Sequence, residues 1–217
     1  MIIAIDGPAG AGKSTVAKLI AKELGFLYID TGAMYRALTL KVLENKIALD
    51  DIARIIELAK NTRVELRNNQ FGPQEVLVDG KDVTLKIRQP RITQFVSDIA
   101  KIKGVREVML ALQRNTAKQG NVVLDGRDIG TVVFPNADKK FYIDAEFNER
   151  VRRRYKELTD LGQNVTLKDI ESDLRNRDTI DSTRQFAPLK KAEDATYIDT
   201  TNMTVEQVVN ELLNYIR

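Results

Sequence analysis

The sequence predicts an α/β fold in which five short parallel strands carry helices on both faces and a small antiparallel insert interrupts the alternation. Three observations carry that expectation. Apolar runs at 2–6, 27–30, 122–125, 140–144 and 195–199 alternate with stretches of helical period, and right-handed crossovers can lay such strands side by side. Between the first run and the first helix stands Gly7-Pro8-Ala9-Gly10-Ala11-Gly12-Lys13-Ser14, which meets the G-x-x-x-x-G-K-[ST] phosphate-binding pattern at every fixed position. Size agrees: 217 residues with 43% apolar content can bury a full core in one domain.

Taken in order, the loop from Gly7 through Thr15 is a socket for a polyphosphate. Its glycines let successive N–H groups turn inward, and the following helix adds the positive end of its dipole. Lys13 would meet the β and γ phosphates, and the Ser14 hydroxyl would ligate an accompanying Mg²⁺. Val16, Leu19, Ile20 and Leu24 mark a helix up to Gly25, a C-cap residue, before the strand Leu27-Tyr28-Ile29. Asp30-Thr31-Gly32 ends that strand where α/β sheets bind ligands, and a helix then runs to about Asn45. Thr31 is a ligand contact or an N-cap, and Arg36 a ligand contact or part of a solvated face.

Residues 50–61 form an amphipathic helix with Ile52, Ile55, Ile56 and Ala59 on its core face. Alternating runs at 63–67 and 75–78, the turn-rich 68–73 between them, and Asp79-Gly80 leading into 81–85 predict a small antiparallel sheet. Pro90 closes that insert, and helices follow at 92–101 and 105–118 with a break at Gly104. Ser97 and Arg106 flank the break and read by composition as surface. Val122 to Asp125 is a buried parallel strand, and Asp125 at its carboxyl end is a Mg²⁺-shell residue or a plain turn residue. Gly126-Arg127-Asp128-Ile129-Gly130-Thr131 continues from it.

After the strand at 140–143, Phe147, Val151, Tyr155 and Leu158 share one helix face, and Arg150, Arg153 and Arg154 crowd one flank of it. Gly162-Gln163-Asn164 breaks the helix, and Thr166 with Asp169 has capping-box spacing. Arg177, Asp178, Asp181 and Arg184 follow before Pro188. A strand at 195–199 and a helix at 205–216 close the chain.

Composition narrows the chemistry. Neither cysteine nor histidine occurs, which removes disulfides, thiolate metal sites and the commonest general base. Catalysis must rest on carboxylates, lysine, arginine and a hard metal. The net charge is only +3 although Lys and Arg total 34, so positive charge is local and suits phosphates better than a nucleic-acid track. The first strand begins at residue 2, no run approaches a membrane span, and a cytoplasmic location is expected. Asn45-Lys46-Ile47-Ala48 lacks the aspartate of a guanine-reading N-K-x-D. A kinase uses the arginines that a switch protein would leave idle.

Gly7 to Thr15, Asp30 to Arg36, Asp125 to Pro135 and Asp181 to Pro188 together resemble bacterial cytidylate kinases, over essentially the whole chain. The resemblance implies a nucleoside monophosphate kinase fold that moves the ATP γ phosphate onto CMP or dCMP with Mg²⁺. It implies a core at 1–62, 101–147 and 180–217, a monophosphate-binding insert at about 63–100 and a lid at about 148–166. ATP is expected on residues Gly7, Pro8, Ala9, Gly10, Ala11, Gly12, Lys13, Ser14 and Thr15, with the metal on Ser14 and Asp125. Arg36, Arg127 and Arg177 would clamp the acceptor phosphate. Thr31, Arg106, Asp128 and Arg184 would read cytosine, a carboxylate accepting from its exocyclic amine, while Ser97, Asp181 and Arg177 contact the sugar. Lys13, Arg36, Arg127, Arg150 and Arg154 form the expected catalytic set, with the choice among Arg150, Arg153 and Arg154 at the transferring phosphate left open. A monomer without nucleic-acid or membrane partners is expected. The alternatives are a kinase of another small acceptor, UMP or AMP among them, and a nucleotide-binding switch or nucleic-acid protein.

Overall fold

The structure, a computed structural model, describes residues 1–67, 74–118 and 120–217. The turn expected at 68–73 lies outside the described residues. Parallel strands β1 (Ile2–Asp6), β2 (Leu27–Asp30), β6 (Val122–Gly126), β7 (Lys139–Asp144) and β8 (Thr196–Asp199) form one sheet in the order β2-β6-β1-β7-β8. Strands β3 (Val64–Arg67), β4 (Glu75–Val78) and β5 (Lys81–Asp82) form a second, antiparallel sheet. The helices are α1 (Lys13–Leu24), α2 (Thr31–Glu44), α3 (Ile52–Lys60), α4 (Pro90–Ala100), α5 (Lys103–Ala117), α6 (Phe147–Asp160), α7 (Leu167–Thr183) and α8 (Val205–Ile216). Among the described residues no helix is long and apolar enough to cross a membrane.

The chain divides into two compact units, Met1–Tyr28 with Gly120–Arg217, and Ile29–Gln119. In the first, alternation puts Ile3, Ile5, Val123, Phe141, Ile143 and Ile198 on one sheet face, against Val16, Ala17 and Ile20 of α1 and Val208, Leu212 and Ile216 of α8. Phe141 is 2% exposed and meets the Tyr215 ring edge-on at 6.3 Å; cutting it to alanine would cost about 3–5 kcal/mol. Leu19, one of the residues whose spacing marks α1, lies on the helix's outer side and is 41% exposed. The register sets Ile5 beside Asp125 and Phe141, and Asp6 beside Gly126 and Tyr142. Each parallel strand therefore carries an aspartate at its carboxyl end: Asp6, Asp30, Asp125, Asp144 and Asp199.

In the second unit, the expected Asp79-Gly80 turn joins β4 and β5 with both residues at positive φ, 50° and 80°, as a two-residue type I′ hairpin requires. Strand β5 stops at Asp82 and does not reach Leu85: the Asp82 carboxylate accepts from both the N–H and the hydroxyl of Thr84, a local turn that competes with the ladder. Two helix boundaries also differ from expectation. Pro90 opens α4 at its first turn, where no N–H is needed. Gly104 lies inside α5, and the break falls at Lys101–Ile102. A Cβ on Gly104 would stand 2.6 Å from Ile56 Cδ1, so this glycine permits close helix approach.

Candidate functional site

The phosphate loop is held in shape by its glycines. Gly7 takes φ 147°, and a Cβ there would lie 1.9 Å from the Ile143 carbonyl oxygen of β7. Gly10 at φ 79° packs against the Arg150 backbone, and Gly12 at φ 88° is the N-cap of α1. No side chain caps that helix start, so its first-turn N–H groups stay directed at the loop's interior. Lys13 Nζ donates to the Pro8 carbonyl at 2.5 Å. Beside it, the Ser14 hydroxyl donates to Asp125 Oδ2 and the Tyr28 hydroxyl to Oδ1, both at 2.7 Å. Asp125 is thus no plain turn residue. With Ser14 it offers hard oxygen donors at one point, a set that suits Mg²⁺, which takes few protein ligands and fills the rest with water and phosphate oxygens.

The stretch after β6 carries a second cluster. Arg127 Nε donates to Asp181 Oδ2 at 2.9 Å and Nη1 to the Gly126 carbonyl at 3.2 Å. Arg184 Nη1 reaches Asp181 Oδ1 at 3.4 Å, Nη2 lies 3.6 Å from Asp128 Oδ1, and Nε donates to the Ala187 carbonyl at 2.7 Å. Burial alone would raise Asp181, yet Arg127, Arg184 and Arg177 hold it below the usual carboxylate range. Burial likewise opposes the Arg127 charge, and Asp181 beside it more than restores it.

Lys13 and Arg177 are less well compensated. Burial, and then the Arg127 charge, push Lys13 down to about 7 in spite of Asp125 and Asp6. Burial and Arg127 also push Arg177 down to about 10, with Arg154 adding repulsion. The nearest carboxylate oxygen to Arg177 is Asp173 Oδ2 at 3.8 Å, and its buried Nε has no hydrogen-bond partner.

The three arginines of α6 diverge from the common flank expected of them. Arg150 is buried and turns inward, donating to the Ala9 carbonyl at 3.0 Å, to Asp178 Oδ2 at 2.6 Å and to the Ala145 carbonyl at 3.1 Å. Arg153 donates to Glu149 and to both the hydroxyl and the carbonyl of Thr200. Arg154 reaches Glu157 at 2.8 Å, and its buried Nε has no partner.

In the second unit, Asp30 caps α2 by accepting from the Ala33 N–H at 2.7 Å, and its other oxygen accepts from Arg36 at 2.9 Å. The cap is therefore Asp30 and not Thr31, which is buried in the first turn. Ser97 and Arg106 are only 5% and 4% exposed, against the surface reading. Arg106 lies over the Tyr35 ring at 5.3 Å and donates to the Ala100 carbonyl at 3.1 Å.

Sequence reasoning missed Asp6, Tyr28 and Asp178. Asp6 accepts from the N–H groups of Ile129 and Gly130. Burial pushes it up to about 7 against those two bonds and the Lys13 charge, with Asp128 adding to the rise. Its place at the carboxyl end of β1, directly before the loop, was the available signal.

A family model described as Cytidylate kinase matches residues 3–217. A protein of that name from Desulforamulus reducens is 53% identical over 214 residues, 99% of this chain and 96% of its own. Others so named, from Geobacillus sp. and Clostridioides difficile, are 53% and 47% identical, covering 99% and 100% of this chain and 95% and 98% of theirs. An uncharacterized protein from Eubacterium ventriosum, known from its crystal structure, shares the fold with a TM-score of 0.52 at 14% identity, over 100% of this chain and 98% of its own.

Proposed function

The chain belongs to the cytidylate kinase family, and we propose how its residues divide the work of moving a phosphoryl group from ATP to CMP. The loop from Gly7 to Thr15 holds the donor's phosphates on main-chain N–H groups, and Lys13 follows the migrating group. Arg36, Arg127 and Arg177 hold the acceptor phosphate. Asp128, with Arg184, Arg106 and Thr31, reads cytosine, and Asp181 and Ser97 meet the sugar.

An oxygen of the CMP phosphate is already ionised at neutral pH. It attacks the γ phosphorus, the bond to the ADP oxygen breaks, and no general base is required. Arg154 stabilises the charge spread over the transferring group, and Arg150 acts through the loop carbonyl it holds. Ser14 and Asp125 would hold Mg²⁺, which when bound neutralises charge on the β and γ oxygens. The acceptor-binding insert at about 63–100 and the lid at about 148–166, set on a core of 1–62, 101–147 and 180–217, belong to the same proposal. So do a monomeric state, a cytoplasmic location and use of dCMP.

One observation carries this reading: burial depresses Lys13 and Arg177, and Arg127 repels both of them, with Arg177 adding to the load on Lys13 and Arg154 to that on Arg177. Buried cations that repel one another are stabilised by a bound polyanion. A coupled assay over CMP, dCMP, UMP, AMP and shikimate tests the assignment. Turnover should be fastest with a cytidine nucleotide; preference for any other acceptor overturns it.

A further inference from the structure

We infer that Asp6 is a positioning residue for the acceptor base: it fixes the turn that presents Asp128. The inference rests on the reading of Asp128 as the cytosine contact. Residues Ile129–Val133 make a single π turn, a rare geometry concentrated at functional sites. Asp128 stands at its head with φ −145° and ψ 24°, and its carbonyl accepts from the N–H groups of Val132 and Val133 at 2.9 and 3.1 Å. That secures the far side of the turn. The N–H groups of Ile129 and Gly130, which no helix residue can satisfy, are taken by the two oxygens of Asp6, at 2.8 and 2.7 Å.

One carboxylate from the end of β1 therefore pins the peptide units on the carboxyl side of Asp128. Asp6 is 4% exposed and Asp128 5%, so neither position is shared with bulk water. Gly130 belongs to the same device. A Cβ there would stand a tight 3.2 Å from Lys140 Cδ and in ordinary contact, 3.5 Å, with Asp6 Oδ2, so it would press on Lys140 and fill the space beside the carboxylate. An asparagine at position 6 would keep one acceptor and aim its amide at the other N–H, donor against donor. The turn would loosen by one bond without losing a side chain's volume.

The test is steady-state kinetics on D6N and G130A with CMP and UMP as acceptors, alongside D128A and D6N/D128A. For D6N the KM for CMP should rise about tenfold or more, the preference for CMP over UMP should narrow, and the KM for ATP should stay within about threefold. G130A should move the same two quantities by less, and it carries the test if D6N fails to fold. In D6N/D128A the loss in CMP recognition should not exceed that of D128A alone, since one change acts through the other. Equal rises in KM for both substrates, additive losses in the double variant, or a lowered Tm with unchanged CMP recognition would each overturn the inference. If D128A itself leaves CMP recognition unchanged, the base-reading role fails; if D128A has its effect while D6N and G130A do not, only the positioning role fails.

Discussion

Two groups of cations in the first unit hold their charge in opposite ways. Around the phosphate loop, Lys13 is buried and Arg177 half-buried among other positive groups, and the two are pushed down to about 7 and about 10. Beyond β6, Arg127 and Arg184 share Asp181, and Arg184 also faces Asp128, so that charge meets countercharge inside the protein. On the proposed assignment, a bound anion would relieve the first group, whereas a ligand of the second would have to exchange contacts with the carboxylates already there. A phosphoryl-transfer site needs both kinds: a strained region whose gain is realised as charge redistributes, and a settled one that recognises shape.

The sharpest way to break this contrast is at Lys13. Lys13→Ala should lower kcat by about 10²–10³-fold with the KM for CMP changed less than about threefold, as steady-state kinetics would show. A large CMP effect with little loss of kcat would reverse the two roles. Next comes stability without ligand. Arg127→Met leaves Asp181 short of a buried partner and should cost about 3 kcal/mol, while Arg177→Met removes a poorly compensated charge and should leave the urea midpoint unchanged or raised. If both variants lose stability alike, the distinction between strained and settled cations is wrong.

Smaller effects sharpen the settled side. Asp128→Ala should raise the KM for CMP about 10- to 30-fold and narrow the preference over UMP with kcat little altered. Glu149 gives the smallest effect. Hydrogen bonds from Arg152 first, then Arg153, hold its carboxyl down to about 2, against 4.5 ordinarily. A depressed carboxylate contributes stability fully above its unfolded pKa, and that contribution fades as pH falls towards 2. Glu149→Gln should therefore lower Tm only slightly at pH 7, because solvent around the exposed Arg152 screens the pair. The gap from the parent should close between about pH 5 and 2; a gap that widens in acid would contradict the assignment.

Much of this was legible in the sequence because it is local. The phosphate loop, the Gly25 cap, the Asp79-Gly80 turn and the Thr166–Asp169 capping box each depend on residues within a few positions of one another. What escaped depends on distance along the chain. Asp6 meets partners more than 120 residues away, and Tyr28 reads as strand core until its hydroxyl is seen on Asp125. Ser97 and Arg106 looked superficial because composition cannot show a polar side chain buried beside a helix end. The three α6 arginines were correctly placed on their helix, but Arg150 and Arg153 find partners far along the chain, at Ala9 and Thr200, while Arg154 pairs within the helix with Glu157. Gly104 signalled a break where its lack of a side chain serves packing.

The inward turn of Arg150 has a mechanical consequence. Its guanidinium ties the first turn of α6 to the loop at Ala9 and to α7 at Asp178, and Ala9 shares a small apolar cluster with Val151, Leu158, Ile170 and Leu174. The helical hairpin is thus riveted at its root. Any swing it makes has to bend above that rivet, carrying the tip around Gly162 while the root travels with the loop.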